Sequence, residues 1–379
     1  MRKRGVRGGA SVALLALVAS GAWFTSASGG EPGHSGGATP ETAAQQFKNI
    51  QVLKDIPAEQ LIPTMQFITA SLGVECEFCH VEHQMDKDDK KEKKTARAMM
   101  EMQFAIDKAN FKGELEVTCY TCHRGSAHPV GTPALIADPN AKRPAPHTHD
   151  EAAEAHPSLP TADQILDKYL AAVGGADALM KIKTRVQKGT IDAMGMQSPI
   201  EVYCQAPDKR VSVTHINGGS SVTAYNGQVG WLSIPNGFHR MTAAERESAQ
   251  IDAQMYFAAR VREMYKELRV RPGEEVSGRA TYLVAAAAAP GHPAIRMYFD
   301  QENGLLLRLI RYTETALGKN PAQVDYADYK ETDGVKIPYR WTLARPSGAF
   351  SIHIDQAQQN VPVDEKLFEA PPDNPPPAH

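Results

Sequence analysis

Cys76-Glu77-Phe78-Cys79-His80 is the stretch from which the organisation of the chain can be read, and its C-x-x-C-H pattern returns as Cys119-Tyr120-Thr121-Cys122-His123. A three-residue offset places two thiols on the same side of one helical turn, able to bond the two vinyl groups of a porphyrin. The imidazole of the next residue then reaches the iron. Each pentapeptide therefore reads as an attachment site for a c-type haem, through Cys76, Cys79 and His80 in one case and Cys119, Cys122 and His123 in the other. Val74-Glu75 precedes the first motif and Val117-Thr118 the second, so one supersecondary unit recurs and two covalent haems are expected.

Other uses of paired cysteines fit less well. A zinc ribbon separates its C-x-x-C pairs by roughly 15–20 residues, whereas 39 residues lie between Cys79 and Cys119. A thioredoxin-like pair needs a βαβ context and would not carry a trailing histidine twice. Disulfides are the remaining alternative in an oxidising compartment. Four of the five cysteines sit in the motifs; the fifth, Cys204, lies in an alternating segment and reads as a small buried hydrophobe.

Arg2, Lys3, Arg4 and Arg7 precede an apolar run from Ala10 to Phe24 and the small residues Thr25 to Gly29, the layout of a secretory signal peptide over 1–28. The run is shorter than a spanning helix requires. Export agrees with haem attachment, which takes place outside the cytoplasm, so the expected location is periplasmic, with membrane association left open. Removing four basic residues takes the formal charge of −3 to −7. An acidic chain argues against a nucleic-acid partner.

Residues 29–46 are rich in Gly, Ser, Pro and Ala and read as a flexible leader. From 47 to 128 the pattern is helical: Leu61, Ile62, Met65, Ile68 and Leu72 recur at helical spacing, with Pro57 suited to a first turn and Pro63 placed to bend the helix. The mixed charges of Asp86 to Lys94 read as a solvated loop, followed by a helix over about 95–110 whose apolar face is Met99, Met102 and Ile106. Residues 129–160, interrupted by seven prolines counted from Pro129 to Pro160, read as a linker. Its histidines, with His128 just before it, are a minor metal-site candidate.

Over 161–371 alternation dominates. Thr161 with Gln164 marks a helix start, and Thr242 with Glu245 a second, read as one long helix to about Leu268. Short alternating runs separated by Asn217-Gly218, Asn226-Gly227, Asn303-Gly304 and Asp333-Gly334 predict an antiparallel meander. The expected fold class is multidomain: a small all-α dihaem unit, then a β-rich, half-barrel-like curved sheet of roughly ten strands with covering helices, and a tail over 372–379.

A six-coordinate cytochrome iron needs a second axial ligand. Met65 lies 11 residues before Cys76 and is the sole methionine between the leader and the first motif, which makes it the candidate for the first iron. For the second, Met99 and Met102 share a helix face and Met100 points about 100° away; spacing does not choose between Met99 and Met102. His83 and His128 are alternatives, handicapped by their closeness to His80 and His123.

Residues 49–129 resemble one half of the multihaem cytochrome c subunit of photosynthetic reaction centres. The run Ala96-Arg97-Ala98-Met99-Met100-Glu101-Met102, followed by Val117-Thr118-Cys119-Tyr120-Thr121-Cys122-His123-Arg124-Gly125, carries the likeness. The resemblance implies Met99 as second-iron ligand with Met102 packing beside it, and Met65 for the first. The family subunit carries four haems against two motifs here, and a β-rich region replaces its second half. That region resembles, more weakly, outer-membrane lipoprotein carrier and sorting proteins, through the helix from Thr161 and the strands around Asp333 to Trp341; the resemblance implies a sheet that can enclose an apolar cavity.

Met/His ligation leaves no open iron position, so the expected role is one-electron transfer to redox partner proteins, a reaction centre or a respiratory complex, rather than enzyme catalysis. A peroxidase-like haem oxidoreductase, or a lipid or lipoprotein carrier with accessory haems, are the alternative classes, with membrane contact through the C-terminal region.

Overall fold

The computed structural model describes residues 41–129 and 159–372, apart from residues 194, 236 and 347. The segment read as a signal peptide over 1–28, residues 29–40 of the leader, most of the linker with His147, His149 and His156, and residues 373–379 lie outside the described residues.

The helical part comprises α1 (Ala43–Gln46), α2 (Leu61–Leu72), α3 (Lys91–Asn110) and α4 (Cys119–His123). Composition assigns residues 43–46 to a leader that buries little, yet they form a helical turn, and Ala43 is fully buried with Leu53, Leu61, Phe67, Ile68 and Met100. Pro63 falls in the first turn of α2, where its missing N–H has no intrahelical acceptor in any case. Gly73 ends α2 in the left-handed conformation, φ +65°, and a Cβ there would sit 2.2 Å from the Gly125 carbonyl oxygen. With Gly125 N–H donating to Ser71 O at 2.9 Å, the end of α2 is locked to the exit of the second motif.

Two expectations for α3 fail. The helix begins at Lys91, inside the charge run read as loop, and its buried stripe is Lys93, Met100, Gln103 and Asp107 rather than Met99, Met102 and Ile106. Met99 and Met102 are exposed. The physical reason is that three of the four buried side chains find specific polar partners: Lys93 on loop carbonyls, Asp107 on Val117 N–H, Gln103 on the Cys119 thiol. Polar side chains that each find at least one specific partner can occupy a core stripe that an apolar count gives to methionine.

Beyond the linker, α5 (Ala162–Ala172) carries the Thr161/Gln164 capping box, and the short α6 (Ala176–Lys181) leads into an open, curved, all-antiparallel sheet of thirteen strands. β1 (Thr184–Ala193), β2 (Met196–Gln205), β3 (Lys209–Ile216), β4 (Gly219–Asn226), β5 (Gly230–Ile234) and β6 (Gly237–Arg240) form one meander. A second comprises β7 (Leu268–Pro272), β8 (Thr281–Ala286), β9 (Ala294–Asp300), β10 (Leu306–Thr315), β11 (Gly318–Thr332), β12 (Val335–Arg345) and β13 (Gly348–Gln359). Pairing of β1 with β13 joins them, so the strand order runs 6-5-4-3-2-1-13-12-11-10-9-8-7. The long helix read from Thr242 is two, α7 (Ala243–Ala253) and α8 (Phe257–Met264), broken where Met255 N–H donates to Pro207 O.

α5, α7 and α8 cover one face of the sheet, and Leu166, Val261, Met297 and Phe299 there have no exposed surface. On the opposite face of the first meander, Phe368 of the C-terminal segment packs on Val211, Ala224 and Trp231. The fold class is as expected: helical unit, then antiparallel curved sheet with covering helices. Cys204 is buried and unpaired, and burial pushes its thiol pKa up, consistent with an inert packing residue.

Candidate haem-binding sites

α2 delivers Met65 and the loop after it delivers the first motif to the same cleft. The stripe Leu61, Met65, Ile68 and Thr69 forms one wall, Cys76, Cys79 and His80 a second, and Lys93, Arg97 and Met100 of α3 a third. Four donor residues named from sequence, Met65, Cys76, Cys79 and His80, are thus gathered in one place. Met100, which was set apart from its neighbours by angle alone, joins this first cleft.

His80 is held by its own loop. Its Nδ1 lies 2.8 Å from Met85 O, and since a carbonyl only accepts, Nδ1 carries the proton and Nε2 keeps its lone pair. His123 repeats the arrangement, with Nδ1 2.9 Å from Ser126 O. This is the second-sphere bond that orients a metal-bound imidazole. Burial, reinforced by Lys93, Arg97 and Lys90 and opposed by the Met85 bond, lowers the His80 pKa and keeps the ring neutral.

The loop carrying Met85 is clamped by residues that sequence reading missed. Lys93 Nζ donates to Met85 O at 2.9 Å and Lys87 O at 2.8 Å and pairs with Asp88 at 3.1 Å. Arg97 reaches Asp88 at 3.0 Å and Asn49 O at 3.2 Å, and Asn49 Nδ2 donates to Asp88 at 2.9 Å. The Arg97 and Asn49 bonds hold the Asp88 carboxyl far below the usual carboxylate range. Lys90 donates to Glu77 O inside the first motif. The signal was available: Lys93 and Arg97 are four apart and share a face of α3.

At the second motif, Thr118 caps α4 by a reciprocal bond pattern with Thr121. Cys119 Sγ lies 3.4 Å from Gln103 Oε1, and Asp107 Oδ1 accepts Val117 N–H at 2.9 Å. Met99 stands one helical turn before Gln103, with Met102 beside it, both open to solvent. Gln103 Nε2 and Asp107 Oδ2 are buried without a hydrogen-bond partner, an unusual pair of orphans for one helix face. His83 and His128 are exposed; His83 pairs with Glu82 at 3.4 Å.

The donor set fits haem at the first motif; at the second, the cysteines and the carbonyl-bonded imidazole fit, while Met99 is open to solvent. All four motif cysteines are free. Burial raises the Cys76 thiol, with Glu77 and Glu75 adding to it, and raises Cys79 with help from Glu92. Burial pushes Cys119 up to about 11. Among the described residues no three His, Cys, Asp or Glu side chains are placed to share a metal, which argues against a zinc site on geometry. At the first motif, two thiols, an imidazole with Nε2 free and a thioether on the facing helix are what a covalently attached haem requires.

A helical unit built on two such motifs defines the chain as a c-type cytochrome by architecture. The family described as the photosynthetic reaction centre cytochrome c subunit matches residues 3–194, just over half of the 379 residues, and the chain belongs to it. The photosynthetic reaction center cytochrome c subunit of Thermochromatium tepidum is 36% identical over 111 residues, covering 28% of this chain and 27% of that protein. Its Rubrivivax gelatinosus counterpart is 34% identical over 91 residues, covering 23% and 25%. The chain thus spans about a quarter of the length of these curated relatives. Among solved structures, an outer membrane lipoprotein-sorting protein domain from Vibrio parahaemolyticus is similar over 54% of this chain and 94% of its own, at 10% identity and TM-score 0.39. A LolA superfamily protein from Nitrosomonas europaea is similar over 56% and 99%, at 12% identity and TM-score 0.39.

Proposed function

We propose that the chain is an exported dihaem electron carrier, with a dihaem unit over about 47–128 and a sheet unit over about 161–371 joined by 129–160. Cys76 and Cys79 would hold one haem by thioether bonds, with His80 Nε2 and Met65 as axial donors; Cys119, Cys122, His123 and Met99 would serve the other. Haem bound in this way supplies a one-electron iron couple. The protein's part is to fix donors and limit water. Loop carbonyls at Met85 and Ser126 set both imidazole tautomers, and a neutral thioether favours the ferrous over the ferric state relative to a second imidazole. The Ser71–Gly125 bond and the close approach of Gly73 to Gly125 tie the second motif to the helix that lines the first cleft, which favours exchange between the two sites.

The observation that carries this reading is the repeated Nδ1-to-carbonyl bond at His80 and His123. A membrane-bound electron-transfer complex of reaction-centre or respiratory type is the proposed partner, on the periplasmic side. Among the described residues no helix is long and apolar enough to cross a membrane. Near-infrared magnetic circular dichroism of the ferric protein tests the ligand sets: two Met/His haems are expected, with Met65→Ala and Met99→Ala each removing one methionine signature. Bis-histidine signals, or an unaltered spectrum in either variant, would refute the assignment.

A further inference from the structure

The turn between β10 and β11, Thr315-Ala316-Leu317-Gly318, belongs to the sheet by hydrogen bonding but to the helical unit by packing. Leu317 has no exposed surface and lies in one cluster with Leu61, Phe67 and Ile68 of α2 and Met100 of α3. The turn is braced from within: Thr315 Oγ1 donates to Gly318 O at 2.7 Å, and Leu317 N–H donates to Thr315 Oγ1 at 3.3 Å. Gly318 comes so close to α2 that a Cβ there would fall 2.3 Å from the Phe67 ring. Two residues on, Asn320 Nδ2 donates to Pro63 O at 2.7 Å.

These contacts have a direction. At about 100° per residue, Pro63 and Phe67 each lie two residues from Met65 and so on the opposite side of α2. One stripe of the helix lines the cleft with Cys76, Cys79 and His80; the other rests on the sheet. Among the described residues no hydrogen bond holds the Met65 side chain, so its placement follows that of the helix and of the cluster it packs against.

We infer that the β10–β11 turn is the seat of α2, and that Leu317 and Asn320 are positioning residues for the Met65 sulfur at the first iron. The sheet is thereby coupled most directly to the first haem, through Met65, and only indirectly to the second, through the Ser71–Gly125 tie and Cys119. A rigid, apolar contact transmits displacement because a packed interior does not deform smoothly. This rests on the proposed Met65 ligation.

The test uses the full-length protein matured with haem, comparing wild type with Leu317→Ala, Asn320→Ala and, as a control on the same hairpin, Lys319→Ala, whose exposed side chain pairs with Glu314 rather than with a residue of α2. Redox titration and near-infrared magnetic circular dichroism are the readouts; Met65→Ala identifies which midpoint belongs to the first haem. In Leu317→Ala and Asn320→Ala that midpoint is expected to fall, with partial loss of its methionine signature, while the second haem shifts less and the control matches wild type. Should Leu317→Ala fail to fold, Asn320→Ala decides alone. Wild-type midpoints and signatures in a folded Asn320→Ala, or equal shifts at both haems, overturn the inference. Failure of the underlying ligand assignment is seen separately, as absence of a methionine-ligated first haem in the wild type.

Discussion

Replacing Lys93 by methionine should loosen the first site without touching a haem donor. The Lys93 side chain is only 10% exposed, and its ammonium donates to Met85 O and Lys87 O while pairing with Asp88. Hydrogen bonds from a charged donor each contribute about 1.5–3 kcal/mol. Methionine keeps most of the apolar stem and removes the desolvation cost of a nearly buried cation, so the two carbonyl bonds together should cost about 2–4 kcal/mol of stability when lost. In Lys93→Met, Asp88 retains Arg97 and Asn49, so the loss is read mainly as that of the two carbonyl bonds. Met85 O is also the acceptor that orients His80, so the loss should appear at the first haem. The assay is guanidinium denaturation of the haem-loaded protein followed in the Soret band, together with the ferric ligand-field spectrum. An unchanged midpoint in Lys93→Met would refute the idea that Lys93 holds the loop by clamping its carbonyls.

In the sheet, Arg311 is buried and paired with Asp252 of α7, and it also donates to Ser248 O at 3.1 Å. Asp252→Ala should therefore cost about 3 kcal/mol in urea denaturation by stranding the cation, while Arg311→Met should be far milder. Gly318→Ala should cost about 1–3 kcal/mol, because φ of +153° and the Phe67 ring both oppose a Cβ; a thermal midpoint equal to wild type would contradict the packing described. His239 of β6 lies 2.8 Å from Glu245 of α7, and that bond raises its pKa despite burial. The stabilisation is complete below about pH 6.5, the ordinary value for a free imidazole, and is lost as pH rises through the higher folded value. Stability measured from pH 5 to 9 should show this decline in wild type and not in His239→Gln.

Much of this was legible before any coordinates. The capping boxes at Thr161/Gln164 and Thr242/Glu245 form as read, because their signal is local chemistry. Asp333-Gly334 joins β11 to β12 for the same reason. β7 and β8 escaped notice: Leu268–Pro272 follows directly on helical periodicity, and Thr281–Ala286 runs into an alanine tract that favours helix, so strand pairing overrides propensity in both. At the first site, the spacing that singled out Met65 placed it beside Cys76, Cys79 and His80. The face of α3 was misread because Lys93, Gln103 and Asp107 look like surface residues until their partners, 6 to 16 positions away, are known. Leu317 could not be found from sequence at all. It is an apolar residue in a turn, and only the docking of α2 explains it.

Whether the mature polypeptide carries two covalent porphyrins is the question beneath every assignment made above, and intact-mass spectrometry of protein matured in a host competent for haem attachment answers it directly. The account predicts a mass of the processed chain plus two haems, with one haem lost in a Cys76→Ala/Cys79→Ala variant and the other in Cys119→Ala/Cys122→Ala. Bare polypeptide, or a single haem indifferent to which pair is removed, would contradict it.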